Sequence, residues 1–322
     1  MNRTFYIATV LFILAALSVT PVAAKASTFK MPAYEKFKLD NGLTVYLMEH
    51  SEVPLVYVSA VIPAGAEMDG KQSGIASLTA EALSMGTKNY TKQQIDDQLD
   101  FLGASYSNGT SVEYVQLNMS FVNKDSDKVF PILKDIMVNP VFPEKEIEKR
   151  KKRLLMELEQ AKESPRAVIG NYYTRFIFGK HPYGNPVEGT KKTVGQLKAK
   201  DLKAFYMKYY CPGTSAVAIA GDFKIAHMKK RIKTLFKDWK AGTGAAAATA
   251  EAALPKFKES HVLLVDKDDA TETQFMIGGL GVPRNNPDYT AIRVVNTILG
   301  GRFTSWLNDE LRVNAGLTYG AY

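Results

Sequence analysis

One stretch with nothing to bury limits what this chain can fold into more than any other feature. Residues 242–248 read Gly-Thr-Gly-Ala-Ala-Ala-Ala, low in complexity and without a single large apolar side chain. Such a segment cannot join a core, so residues 241–255 are read as a linker. The same succession occurs on both sides of it: strand, charged turn, helix, Gly-rich break, helix. Residues 56–102 parallel residues 274–312 in this order. The pattern predicts an internal repeat of a domain of roughly 200 residues, the first copy over 30–240. The second, from 256, is expected to be incomplete. It reaches only Gly316-Leu317-Thr318-Tyr319, which reads as entry to a strand, before Tyr322. The sequence therefore reads as a fragment, or a truncated gene product, of a longer chain, because a domain cut there leaves a sheet edge open.

Composition supports ordinary globular folding. Of 322 residues, 46% are hydrophobic and 23% charged, and a chain of this length buries a large core without metal or disulfide staples. Its one cysteine, Cys211, rules out an intrachain disulfide. With no His or Asp beside it, it reads as a passive thiol. The net charge of +8 is spread along the chain rather than gathered with aromatics, which argues against a nucleic-acid interface. The N-terminus is an address. Asn2-Arg3 supplies positive charge, residues 5–19 form an apolar run, and Pro21-Val22-Ala23-Ala24 offers small residues for cleavage. This predicts a secretory signal peptide over 1–26, cut after Ala24 or Ala26, and an exported, periplasmic protein. The rival reading, an uncleaved anchor, is disfavoured by the shortness of the run. No other stretch reads as a membrane span.

Strands are predicted at 34–39 and 43–47 about an Asp40-Asn41-Gly42 turn, at 56–61, and at 215–220. Two more, 104–107 and 115–121, are expected to flank a turn at Asn108-Gly109-Thr110. Helices are predicted over 74–84 with Ser73 as cap, then over 91–102, 128–138, 143–162, from about 166, and over 200–210. Beyond the linker, strands are expected at 261–265 and 274–278 and helices at 289–299 and 303–312.

Residues 65–87 carry the most informative pattern. Gly74-Ile75-Ala76 stands before, and Met85-Gly86-Thr87 after, a helical segment holding Ser77, Ala80 and Glu81. This resembles the active-site helix of the pitrilysin/insulinase family of zinc peptidases, in which the inverted motif His-x-x-Glu-His fills those three positions. Later segments match the family's order too: His181-Pro182-Tyr183-Gly184, Gly189-Thr190, Asp201-Leu202, and 210–222. The resemblance implies an α+β fold of two homologous domains, each a mixed, largely antiparallel sheet packed with helices. It also implies a lost centre. Two His four apart grip one zinc from a single helix face, and the intervening Glu is the general base. Here Ser77 is a poor ligand, Ala80 accepts no proton, and Glu81 is alone. The family's third ligand corresponds to Glu157, with Pro165 as expected, whereas the acidic position seven earlier is Arg150. A cation there opposes a metal ion. His181 reads as a turn residue, and His50, His227 and His261 as surface residues.

The resemblance also marks Arg312 and Tyr319, in Leu311-Arg312-Val313-Asn314-Ala315-Gly316-Leu317-Thr318-Tyr319. In the family this pair binds substrate backbone and stabilises the oxyanion across the clam-shell. In two-subunit members one chain holds the zinc and the other the Arg/Tyr pair. The implied role is thus a non-catalytic subunit that binds peptide, has no metal of its own, and lends Arg312 and Tyr319 to a zinc-bearing His-x-x-Glu-His partner. An inactive envelope scaffold is the alternative. A divergent metallopeptidase using Glu81 and Glu157 is the third reading.

Overall fold

The computed structural model describes residues 31–240 and 253–322. The expected signal peptide, 1–26, and most of the linker, 241–255, lie outside the described residues. Six strands form one sheet: β1 (Glu35–Lys38), β2 (Thr44–Glu49), β3 (Leu55–Ile62), β4 (Ser105–Thr110), β5 (Val115–Val122) and β6 (Ala216–Gly221). Their spatial order is β1-β2-β6-β3-β5-β4. β2 and β6 run parallel, and the other four pairings are antiparallel. The last strand in sequence is thus inserted in the middle of the sheet.

Side chains alternate across the pleat. Val45 and Leu47, Val56, Val58, Ala60 and Ile62, Val115, Leu117, Met119 and Phe121, and Val217 and Ile219 all point inward and are buried. Helices cover this face. The α-helices of this region are α1 (Ile75–Ala82), α2 (Lys92–Phe101), α3 (Ser126–Val138), α4 (Glu144–Gln160), α5 (Pro165–Phe178), α6 (Lys191–Gln196), α7 (Ala199–Tyr209) and α8 (Ile225–Phe236), and all but α5 and α6 place buried residues in the core on this face. Leu78 of α1, Phe130 and Leu133 of α3, Leu202 of α7 and Ile232 of α8 join the strands in one continuous core. Phe121 and Phe130 meet edge to face at 5.4 Å, a favoured aromatic geometry. The opposite sheet face is an open groove of ≈ 680 Å³, with Tyr46, Met48, Tyr57, Ser59 and Asn118 among its lining. Cys211 is buried with its Sγ against the Lys208 carbonyl. No helix of the described residues is long and apolar enough to cross a membrane.

Several expectations need correction. Asn108-Gly109-Thr110 is not a turn. β4 continues through it, pairing Gly109 with Gln116, and the chain reverses at residues 111–114, where the Ser111 N–H donates to the Tyr114 carbonyl. The pairing register there outweighs the local turn preference of Asn-Gly. Ser73 does not cap α1, for reasons given below. Helices α6 and α8 were not foreseen. The second region holds α9 (Tyr289–Gly300), close to expectation, but the helix expected from 303 begins at Trp306 and widens into a π-helical turn, Asp309–Asn314. The segments 261–265 and 274–278 form no ladder among the described residues. Val262, Leu264 and Ile277 stand about 90% exposed there, and a strand without a partner has no ladder hydrogen bonds to hold it.

Candidate functional site

The helix carrying the altered motif is held at both ends. At its start, Gly74 has φ +94°, and an added Cβ would lie 2.8 Å from the Glu188 carbonyl oxygen. Its neighbour across this contact, Gly189, has φ +78° and would bring a Cβ to 2.4 Å from the Ser73 carbonyl oxygen. Two backbones meet here with room for no side chain, which explains both glycines. Asp69 does the capping: its carboxylate accepts the Gly74 N–H at 2.7 Å and the Ala76 N–H at 3.0 Å. Ser73 instead donates its hydroxyl to the Pro186 carbonyl. Asp69 is 4% exposed, and burial pushes its carboxyl up to about 7 against the two N–H bonds that favour the charge. Sequence reasoning missed Asp69 because it lies five and seven residues ahead of the groups it caps, outside the usual N-cap spacing.

Just past the helix, Thr87 is tied down. Asp135 of α3, 1% exposed, accepts from the Thr87 hydroxyl at 3.0 Å, from the backbone and side-chain N–H of Asn89, each at 3.1 Å, and from Asn139 Nδ2 at 2.7 Å. This buried carboxylate, also unanticipated, fixes the Gly86-Thr87 end of the segment.

Between these anchors Ser77 is half-buried, Ala80 fully buried, and Glu81 partly exposed. Arg150 reaches over from α4. Its Nε and Nη2 both donate to the Glu81 carboxylate, the latter at 3.1 Å, and its Nη1 donates to Glu157 Oε2 at 2.9 Å. One guanidinium thus joins two carboxylates from two helices, bidentate on one and single on the other. The hydrogen bond to Glu81, more than any other contact, raises the Arg150 pKa above its ordinary value, and Glu157 adds to it. Glu81 and Glu157 are therefore brought together, but through a cation of the chain itself.

The zinc ion that the resemblance implies for active relatives does not fit these residues. No imidazole stands on α1, and Ala80 replaces the base. The two carboxylates already share the fixed charge of Arg150, and no three His, Cys, Asp or Glu among the described residues are gathered as a metal would require. His181 is occupied otherwise: its Nδ1 accepts the Tyr183 N–H at 3.1 Å, and its ring packs on Tyr183 and Phe178.

Arg312 and Tyr319 are neighbours. Arg312 Nη1 donates to the Tyr319 carbonyl at 2.8 Å, and the guanidinium lies 4.6 Å from the centre of the Phe303 ring. The Tyr319 side chain is 93% exposed.

Comparison with known proteins places this geometry. Residues 44–191 match the model described as Insulinase (Peptidase family M16), and residues 196–322 the one described as Peptidase M16 inactive domain. The chain is 22% identical over 290 residues to a Bacillus subtilis protein named Uncharacterized zinc protease YmxG, covering 89% of this chain and 69% of that one. It is 26% identical over 277 residues to the Non-peptidase homolog YmxG of Helicobacter pylori, covering 85% and 63%. It is 26% identical over 276 residues to Cytochrome b-c1 complex subunit 1 of Bos taurus, covering 84% and 56%. The chain thus spans only part of each relative's length. Among solved structures, a peptidase M16 inactive domain from Pseudomonas fluorescens superposes with a TM-score of 0.79 at 25% identity, covering 90% of this chain and 70% of that one. The chain, with its altered zinc motif, belongs to the insulinase family, peptidase family M16, as a member resembling the family's inactive domains.

Proposed function

We propose that this chain is the exported, non-catalytic subunit of a two-chain zinc peptidase, working beside a family member that bears His-x-x-Glu-His. The observation that carries this reading is the altered centre. Arg150 ties up both carboxylates left at the zinc positions and offsets one of their two charges, and Ala80 stands where the base would be. Such a chain has no means of activating water, while Arg312 and Tyr319 remain side by side in the second region. Arg312 would supply fixed positive charge and paired donors to a peptide carbonyl whose oxygen becomes anionic, and the exposed Tyr319 hydroxyl would supply one more donor. Arg312 now spends one donor on a backbone carbonyl, so substrate must take over the others. In this role the chain helps enclose a peptide, and the partner holds the zinc.

A second reading, an envelope scaffold without catalysis, draws on the likeness to Cytochrome b-c1 complex subunit 1. Affinity capture of the full-length protein from its source separates the two. The peptidase reading requires a stoichiometric partner with an intact zinc motif. In that reconstituted complex, Arg312→Ala should lower turnover by about 10²-fold or more. Unchanged turnover, or recovery of the chain without such a partner, defeats the proposal.

A further inference from the structure

The altered centre holds a device of its own, independent of any partner. A zinc ion in an active site of this kind does two things: it polarises substrate, and it ties ligands on separate elements to one point. Here the first function is gone and the second survives in another form. Glu81 projects from α1 and Glu157 from α4, and Arg150 holds both, with its side chain only 17% exposed. Remove that guanidinium and the carboxylates of two helices lose the cation they share, with Ser77 one turn before Glu81 on the same helix face. We infer that Arg150 is a tethered replacement for the metal, a built-in cation that clamps α1 to α4 and shuts the former metal position to divalent ions. The exchange is sound electrostatically. A guanidinium is charged at every accessible pH, is less strongly hydrated than a metal ion, and satisfies carboxylates in a fixed fork. Being covalently attached, it is never lost by dilution or chelation. Arg150 acts here as a positioning residue.

The clamp makes the fold indifferent to metals, and its loss reverses that. The purified full chain should melt at the same temperature with EDTA, with Zn²⁺ or with Mn²⁺. Arg150→Ala should melt about 5 °C lower or more in EDTA, and Mn²⁺ should recover at least half of the loss. Mn²⁺ is the probe because two carboxylates and a hydroxyl form an oxygen site for a hard cation. Calorimetric titration should find one Mn²⁺ site in Arg150→Ala and none in the natural chain. Arg150→Ala/Glu81→Gln, in which one of the two carboxylates is gone, should lose both the site and the rescue. Arg150→Lys keeps a charge at the position and should refuse Mn²⁺ whatever its stability. Stoichiometric Mn²⁺ or Zn²⁺ binding by the natural chain, abolished by Glu81→Gln, overturns the inference. So does an Arg150→Ala variant that is as stable as the natural chain in EDTA, or one that Mn²⁺ neither binds nor rescues.

Discussion

The carboxylate of Asp135 offers the sharpest test of how this site is held. Its side chain accepts four hydrogen bonds, two from Asn89, one from the Thr87 hydroxyl and one from Asn139. A hydrogen bond to a charged group contributes about 1.5–3 kcal/mol, so the gross loss in Asp135→Ala is roughly 6–12 kcal/mol. Most of that is recovered. Asn89 is exposed and Asn139 half-exposed, so water replaces the carboxylate for three donors. The buried Thr87 hydroxyl keeps a second acceptor, the Tyr90 carbonyl, at 3.3 Å. The net cost should be about 3 kcal/mol, within the range for a broken buried network. Asp135→Asn keeps one acceptor oxygen and the side-chain shape and should cost about half as much. Urea unfolding followed by the fluorescence of Trp239, which is 3% exposed, reads both. A cost for Asp135→Ala below about 0.5 kcal/mol, the scale of ordinary surface changes, would refute the anchoring role. A natural-like Asp135→Asn beside a crippled Asp135→Ala would show that shape and an acceptor oxygen, not charge, hold the loop.

Two further outcomes are expected besides those for Arg312 and Arg150. Asp69 binds its proton more tightly folded, at about 7, than unfolded. The folded state therefore retains a proton that the unfolded chain releases as pH rises from about 4 to 7, and stability falls through that window by at most about 4 kcal/mol at 1.36 kcal/mol per unit. Asp69→Asn should flatten this dependence in urea melts at pH 4.5 and 7.5, and an unaltered slope would rule Asp69 out as its source. Gly189→Ala should cost about 2–4 kcal/mol, since the new Cβ adds a collision with the Ser73 carbonyl to the roughly 1–2 kcal/mol of a positive φ. Gly70→Ala is the control: φ there is +57° with nothing within 4 Å of the added atom, and equal costs for the two variants would deny the close approach.

How far the sequence was legible depended on how local each signal is. The β1–β2 hairpin, β3, β5 and most of the first-region helices rest on patterns within a few residues, and their positions agree to within two residues or so. The stripe Met228, Ile232, Phe236 that buries α8 was equally local and was overlooked. The continuation of β4 through Asn108-Gly109-Thr110 depends on pairing with β5, a tertiary influence that turn preference does not contain. The site divides the same way. The losses at Ser77, Ala80 and Glu81 could be read from spacing on one helix, and Arg150 was recognisable as an adverse charge. That its guanidinium takes hold of both remaining carboxylates needed α1 and α4 in place. Asp69 was invisible because its partners lie five to seven residues on, and Asp135 because three of its four hydrogen bonds come from 46 to 48 residues back; only Asn139, four residues on, was local.

The central place of β6 carries a consequence for the order of assembly. Synthesis delivers β2 and β3 early and in succession, yet they are not neighbours. Each must wait for residues 216–221 to fill the slot between them. Until then both present unpaired edges, one of them the apolar strand Leu55–Ile62, in a state open to misregistered pairing and to self-association. A product ending short of residue 216 would lack the middle of its sheet rather than its rim. The first region should therefore acquire its cooperativity late, in one step, when a six-residue strand arrives from far along the chain.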